Sequence, residues 1–113
     1  MITVTMHKYF EGENLKIFTP KYLFTDVMKP LLYASEVSHE KLVLDFDNSY
    51  GYPTTILKEL IERMIFECSP LPFFMCVDIK STEDETLPDL IKKWNTDFYI
   101  KMSHGELPSW LKI

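Results

Sequence analysis

A chain of 113 residues can bury one core of two or three layers but not two independent ones, which predicts a single domain over 1–113. A hydrophobic fraction of 46%, with 14% aromatic residues, supplies that core, and only 3 glycines argue against a low-complexity chain. The net charge of −5 and the scattered Lys and Arg residues repel a phosphate backbone, so nucleic acid is not an expected partner; Glu83, Asp84, Glu85 and Asp89 are too sparse a run for a nucleic-acid mimic.

Residues 2–10 alternate apolar and polar side chains, Glu11-Gly12-Glu13-Asn14 carries turn chemistry, and Leu15 to Phe18 is a short apolar run. Together they predict a hairpin. The same start lacks the charged residues and continuous apolar run of a signal peptide, and no stretch has the length of a membrane span, so a cytoplasmic chain is expected. Thr19-Pro20 pairs an N-cap residue with proline at the first helical position, and Leu23, Val27 and Leu31 follow at helical spacing, with Pro30 expected to kink or end the helix.

Lys41 to Phe46 is an apolar run ending in a carboxylate, as expected of a central strand buried on both faces. Pro53-Thr54-Thr55 opens a helix whose Ile56, Leu57, Leu60, Ile61, Met64 and Ile65 form one apolar stripe. Ser69-Pro70-Leu71-Pro72 ends it and releases a second buried strand over Phe73 to Ile79, too apolar for an exposed edge. Thr86-Leu87-Pro88-Asp89 has a capping-box-like start, and Leu87, Leu90, Ile91, Trp94 and Phe98 mark a third helix. After Ser103 a tail over 103–113 is expected to pack Trp110 and Leu111 back on the body. The order β-β-α-β-α-β-α predicts an α/β fold with about four strands in a mixed sheet covered by three helices.

The segment from Leu42 to Leu60 resembles the STAS-like family (DUF4325): an apolar strand ending in Asp45-Phe46, a short loop, the hydroxyl pair Thr54-Thr55, then Ile56 and the Glu59-Leu60 pair. Asn48, Ser49 and Pro53 depart from the family's pattern. With the flanking helices and strands the resemblance spans about 15–98. It implies a fold related to the anti-sigma-factor antagonists, in which a helix start after the central strand meets a partner protein and can be phosphorylated. The unpaired N–H groups and positive dipole of a helix start would favour a phosphate on Thr54 or Thr55; the commoner role of a threonine there is an N-cap. Tyr50 and Tyr52, flanking Gly51 beside that helix start, are suited either to partner contact or to local packing.

The same stretch also looks like the first motif of the haloacid-dehalogenase phosphatases, Asp-x-Asp-x-Thr/Ser, in Asp45-Phe46-Asp47-Asn48-Ser49. In that chemistry Asp45 would attack phosphorus, Asp47 would act as acid and base, and Mg²⁺ would bridge carboxylate and phosphate. Lys80 and Glu83-Asp84-Glu85 are imperfect stand-ins for the lysine and acidic loop such enzymes need, and Asp47 and Asn48 suit an ordinary turn equally. No cofactor or metal is expected: His7, His39 and His104 lie far apart and read as surface or capping residues, and Gly12, Gly51 and Gly105 are isolated. Cys68 and Cys76 read as small apolar core residues of a reducing compartment.

The leading expectation is a non-catalytic regulatory domain of bacterial or phage type. It would bind a partner protein over 47–58 through Tyr50, Tyr52, Thr54, Thr55 and Lys58, and an alternating N-terminal edge would allow a homodimer. A Mg²⁺-dependent phosphatase using Asp45 and Asp47 is the alternative, and an inhibitor encoded by a mobile element is the third reading.

Overall fold

In the computed structural model, which describes residues 1–10, 19–48 and 53–111, three strands form one parallel sheet in the order β1-β2-β3. They are β1 (Ile2–Thr5), β2 (Leu42–Asp45) and β3 (Val77–Lys80). Ile2, Leu42 and Val77 stand side by side, as do Thr5, Asp45 and Lys80 at the other end of the strands. The expected mixed sheet of about four strands is therefore replaced by a parallel one of three among the described residues. Leu15 to Phe18, the second arm of the expected hairpin, lies outside them.

The alternation of 2–10 does not continue as strand to its end. Met6 still donates its N–H to the Asp45 carbonyl at 2.8 Å, but Tyr9 N–H then bonds back to the Met6 carbonyl at 3.0 Å, and His7–Phe10 forms the short helix α1. Met6 is fully buried and Tyr9 packs on the core, so a three-residue spacing puts both side chains inward where a strand would have sent them to opposite faces.

Thr19 caps the next helix as its sequence predicts, its Oγ1 accepting the Tyr22 N–H at 3.1 Å. The helical path runs through α2 (Pro20–Tyr22), a π-helical stretch (Leu23–Met28) and α3 (Lys29–Ser38). Pro30 does not end it. The wider π register, in which Lys29 N–H reaches back to the Phe24 carbonyl, comes just before the proline, where an α register would press the ring on the carbonyl four residues back. His39 terminates α3 in the left-handed region at φ 57°, with Glu40 N–H on the Ser35 carbonyl and His39 N–H on the Glu36 carbonyl.

Helix α4 (Thr54–Cys68) buries Leu57, Leu60, Ile61, Met64 and Ile65, the predicted stripe. The apolar run after it divides: Phe73–Cys76 is a helical turn, α5, and only Val77–Lys80 is strand. Pro72 starts that turn, its carbonyl accepting the Met75 N–H at 3.0 Å, and a short apolar run does not by itself distinguish helix from strand. β3 lies at the edge of the described sheet, contrary to expectation. Helix α6 (Thr86–Ser103) packs on α4 through Leu87, Ile91, Trp94 and Phe98. Its start is secured from outside: Asp84 Oδ1 accepts both the N–H and the hydroxyl of Thr86. In all there are five helical stretches among the described residues where three were expected, and none is long and apolar enough to cross a membrane.

Two crossovers that step the same way across a parallel sheet put their helices on one face. Ile2, Val4, Leu42, Leu44, Val77 and Ile79 accordingly join the core beneath the helices. The alternate residues Thr3, Thr5, Val43, Asp45, Asp78 and Lys80 point the other way. Val43 is only 8% exposed yet stands outside the core cluster. The central strand is thus buried on both faces from Leu42 to Leu44, as expected, with helices packed on one of them, while its neighbours on the other face and its own end at Asp45 are polar.

Candidate functional site at the carboxyl ends of the strands

Parallel strands end together, so the residues at their carboxyl ends and the first residues after them are brought to one edge. Asp45 and Lys80 are register partners on β2 and β3 and share the polar face. Lys80 Nζ lies 3.6 Å from Asp45 Oδ2 and 4.0 Å from Asp47 Oδ2. The lysine side chain is 54% exposed, whereas those of Asp45 and Asp47 are 19% and 14% exposed.

The two aspartates have different duties. Asp45 Oδ1 accepts the Asp47 N–H at 2.9 Å, which turns the chain directly after the strand. Asp47 reaches across to the loop after β3: Oδ1 accepts the N–H groups of Thr82 at 2.7 Å and Glu83 at 3.2 Å, and Oδ2 accepts the Thr82 hydroxyl at 2.8 Å. The clasp is closed in the other direction by Glu83 Oε2, which accepts the Asn48 N–H at 2.8 Å. Asn48 sits at φ 66°, a left-handed conformation that asparagine tolerates better than most residues.

This network sets the charge of Asp47. Desolvation pushes its carboxyl up, but the Thr82 hydroxyl, the N–H groups of Thr82 and Glu83, and the Lys80 ammonium together hold it below the usual aspartate value of 3.8. A carboxylate held by four donors is a structural tie between the loops that follow β2 and β3.

The sequence offers Thr54 and Thr55 as an N-cap or a phosphorylation site. The N-cap position belongs to Pro53, which offers no side-chain bond, and both threonines lie exposed inside the first turn of α4. Thr55 and the half-buried Lys58 open on a cavity of about 550 Å³ between α4, α6 and the tail. Tyr50 and Tyr52 lie outside the described residues. The tail reaches that cavity as expected: Gly105 at φ 77° permits Glu106 N–H to bond the Lys101 carbonyl at 2.9 Å and Gly105 N–H the Met102 carbonyl at 3.1 Å. Trp110 then stacks on Phe98 at 6.3 Å, lies 4.8 Å from the Arg63 guanidinium and donates its indole N–H to Glu62 at 3.3 Å.

The histidines remain separate. His39 and His104 occupy helix ends, as a capping role requires, and His7 Nδ1 is buried without a hydrogen-bond partner. No group of three His, Cys, Asp or Glu side chains could hold a metal ion among the described residues. The sequence motif found Asp45 and Asp47 but missed Thr82 and Glu83. Their signal was positional: they follow β3 directly, as Asp47 follows β2, and adjacent parallel strands bring such residues together. It reads Cys68 and Cys76 as small apolar core residues and not as a disulfide or metal pair; both pack on the core and line one cavity. Comparison of the chain with family models, curated proteins and solved structures gives no match.

Proposed function

We propose that the chain is a STAS-like regulatory domain that binds a partner protein through the loop and helix start over 47–58. The observation that carries this reading is the double clasp of Asp47 on Thr82 and Glu83 and of Glu83 on Asn48. It anchors the base of the loop and leaves the first turn of α4 with both threonines accessible. A surface held in place before binding loses less conformational freedom on association. Lys58 beside Thr55 adds a cation to the same face, and phosphate on either threonine would meet unpaired N–H groups there. A Tyr52→Ala, Thr55→Glu double variant should lose partner affinity in a calorimetric titration; unchanged affinity removes this surface from consideration.

A Mg²⁺-dependent phosphatase is the second reading, and the approach of Lys80 to Asp45 favours it. Against it, both oxygens of Asp47, the intended acid and base, already accept bonds from Thr82 and Glu83. Phosphate release from a panel of phosphoesters with Mg²⁺, abolished by Asp45→Asn, would establish catalysis; no release above the variant's background leaves binding as the function.

A further inference from the structure

At the opposite, amino-terminal edge of the sheet, Cys68 ends α4 and Cys76 ends α5, one residue before β3. Both are free, half-buried and packed on the core, and both line one cavity of about 850 Å³. α4 and α5 pack on each other, and Cys76 is near enough to act on the ionisation of Cys68. Between them in sequence, Pro70, Leu71 and Met75 furnish part of the same cavity wall, and Leu71 and Met75 are exposed although apolar. Tyr99 closes the group, donating its hydroxyl to the Leu71 carbonyl at 3.5 Å.

We infer that Cys68 and Cys76 form an oxidisable dithiol, a modification site in which Cys76 is the attacking sulfur and Cys68 the resolving one, and whose disulfide staples the end of α4 to the end of α5. The juxtaposition of two thiols from different helix ends on one cavity wall is the basis of this assignment. The division of roles follows from their surroundings. Burial pushes the Cys68 thiol up to about 12, with the neighbouring Cys76 and Glu67 adding to it, which disfavours first attack by Cys68 and suits it to the resolving step. The same burial, with the two sulfurs nearby, raises the Tyr99 hydroxyl.

With a low-molecular-weight disulfide such as oxidised glutathione as oxidant, the Cys76 thiolate attacks one glutathione sulfur, forming a mixed disulfide and releasing one glutathione thiolate. That thiolate takes the Cys68 proton, and the Cys68 sulfur then attacks Cys76 and expels the second glutathione. Two protein thiols are oxidised and one glutathione disulfide is reduced to two thiols. The product fixes both ends of the 69–75 segment and therefore its wall of the cavity.

The test is incubation of the folded full chain with oxidised glutathione, followed by intact mass and thiol titration. The expected chain loses about 2 Da, both thiols disappear together and no glutathione is retained. Cys68→Ser should trap one glutathione on Cys76, and Cys76→Ser should react roughly tenfold more slowly than Cys68→Ser because its remaining thiol is held protonated. A lasting glutathione adduct on the unaltered chain, a disulfide between two chains, or two thiols that stay free would each overturn the assignment, independently of how the variants fold.

Discussion

Two joints at opposite ends of the sheet, the Asp47 clasp and the α5 turn before β3, are held in different ways. At the carboxyl edge the connections are tied by charge: one aspartate gathers three hydrogen bonds and a lysine, all near solvent. At the amino edge the joint through α5 is apolar, with Phe73 fully buried against Phe74 at a ring separation of 5.0 Å and both cysteines packed on the core, while the ion pairs Lys41–Asp78 at 2.9 Å and Met1–Glu40 at 3.4 Å lie outside it. Charged ties respond to pH and salt and leave their surroundings wet, whereas apolar joints respond to volume. The carboxyl edge is the surface proposed for recognition, and the Phe73 joint is the one most sensitive to lost volume.

The sharpest way to break this contrast is to truncate one residue on each side. Phe73→Ala should cost about 3–5 kcal/mol in urea unfolding, because a fully buried ring leaves a cavity; a loss under ~1 kcal/mol would deny the amino edge its role. Asp47→Asn should lower the urea midpoint by less, and its effect should depend on pH. Because the folded carboxyl lies below 3.8, its contribution is complete above that value and lost as pH falls through the lower folded one. The gap between parent and variant should therefore close in acid, and a gap constant from neutrality to acid would contradict the clasp.

Smaller changes refine the amino edge. Ser35 is buried and donates its hydroxyl to the Glu40 carbonyl in the turn before β2, so Ser35→Ala should cost about 1 kcal/mol in the same unfolding measurement. His39→Gly should act in reverse, stabilising by about 0.5 kcal/mol, since glycine relieves a left-handed backbone but adds freedom to the unfolded chain. A destabilised His39→Gly chain would mean that the imidazole, rather than the backbone, matters at this turn.

What could be read from the sequence follows how locally each feature is encoded. β2, α4 and α6 are written in contiguous apolar patterns, and the Thr19-Pro20 start of α2 needs only its own neighbours. The parallel pairing of β1 with β2 spans some forty residues and has no local mark. Phe73 to Cys76 is apolar throughout, which obscures its period, and Pro72 was the available sign of a helical turn. Of the site, Asp45 and Asp47 stand out because a carboxylate after a strand has few reasons to be there. Thr82 and Glu83 become their partners only once β3 lies beside β2, and Cys68 and Cys76 line one cavity only because α5 packs on α4.

The central claim is that the carboxyl edge presents a surface and does not perform a reaction. It is tested most directly by capturing the native partner on the intact chain and titrating it against two variants. The account predicts that Tyr52→Ala, Thr55→Glu abolishes binding while Asp45→Asn retains it. Undiminished binding by the double variant, or turnover of a phosphoester that Asp45→Asn abolishes, would contradict it.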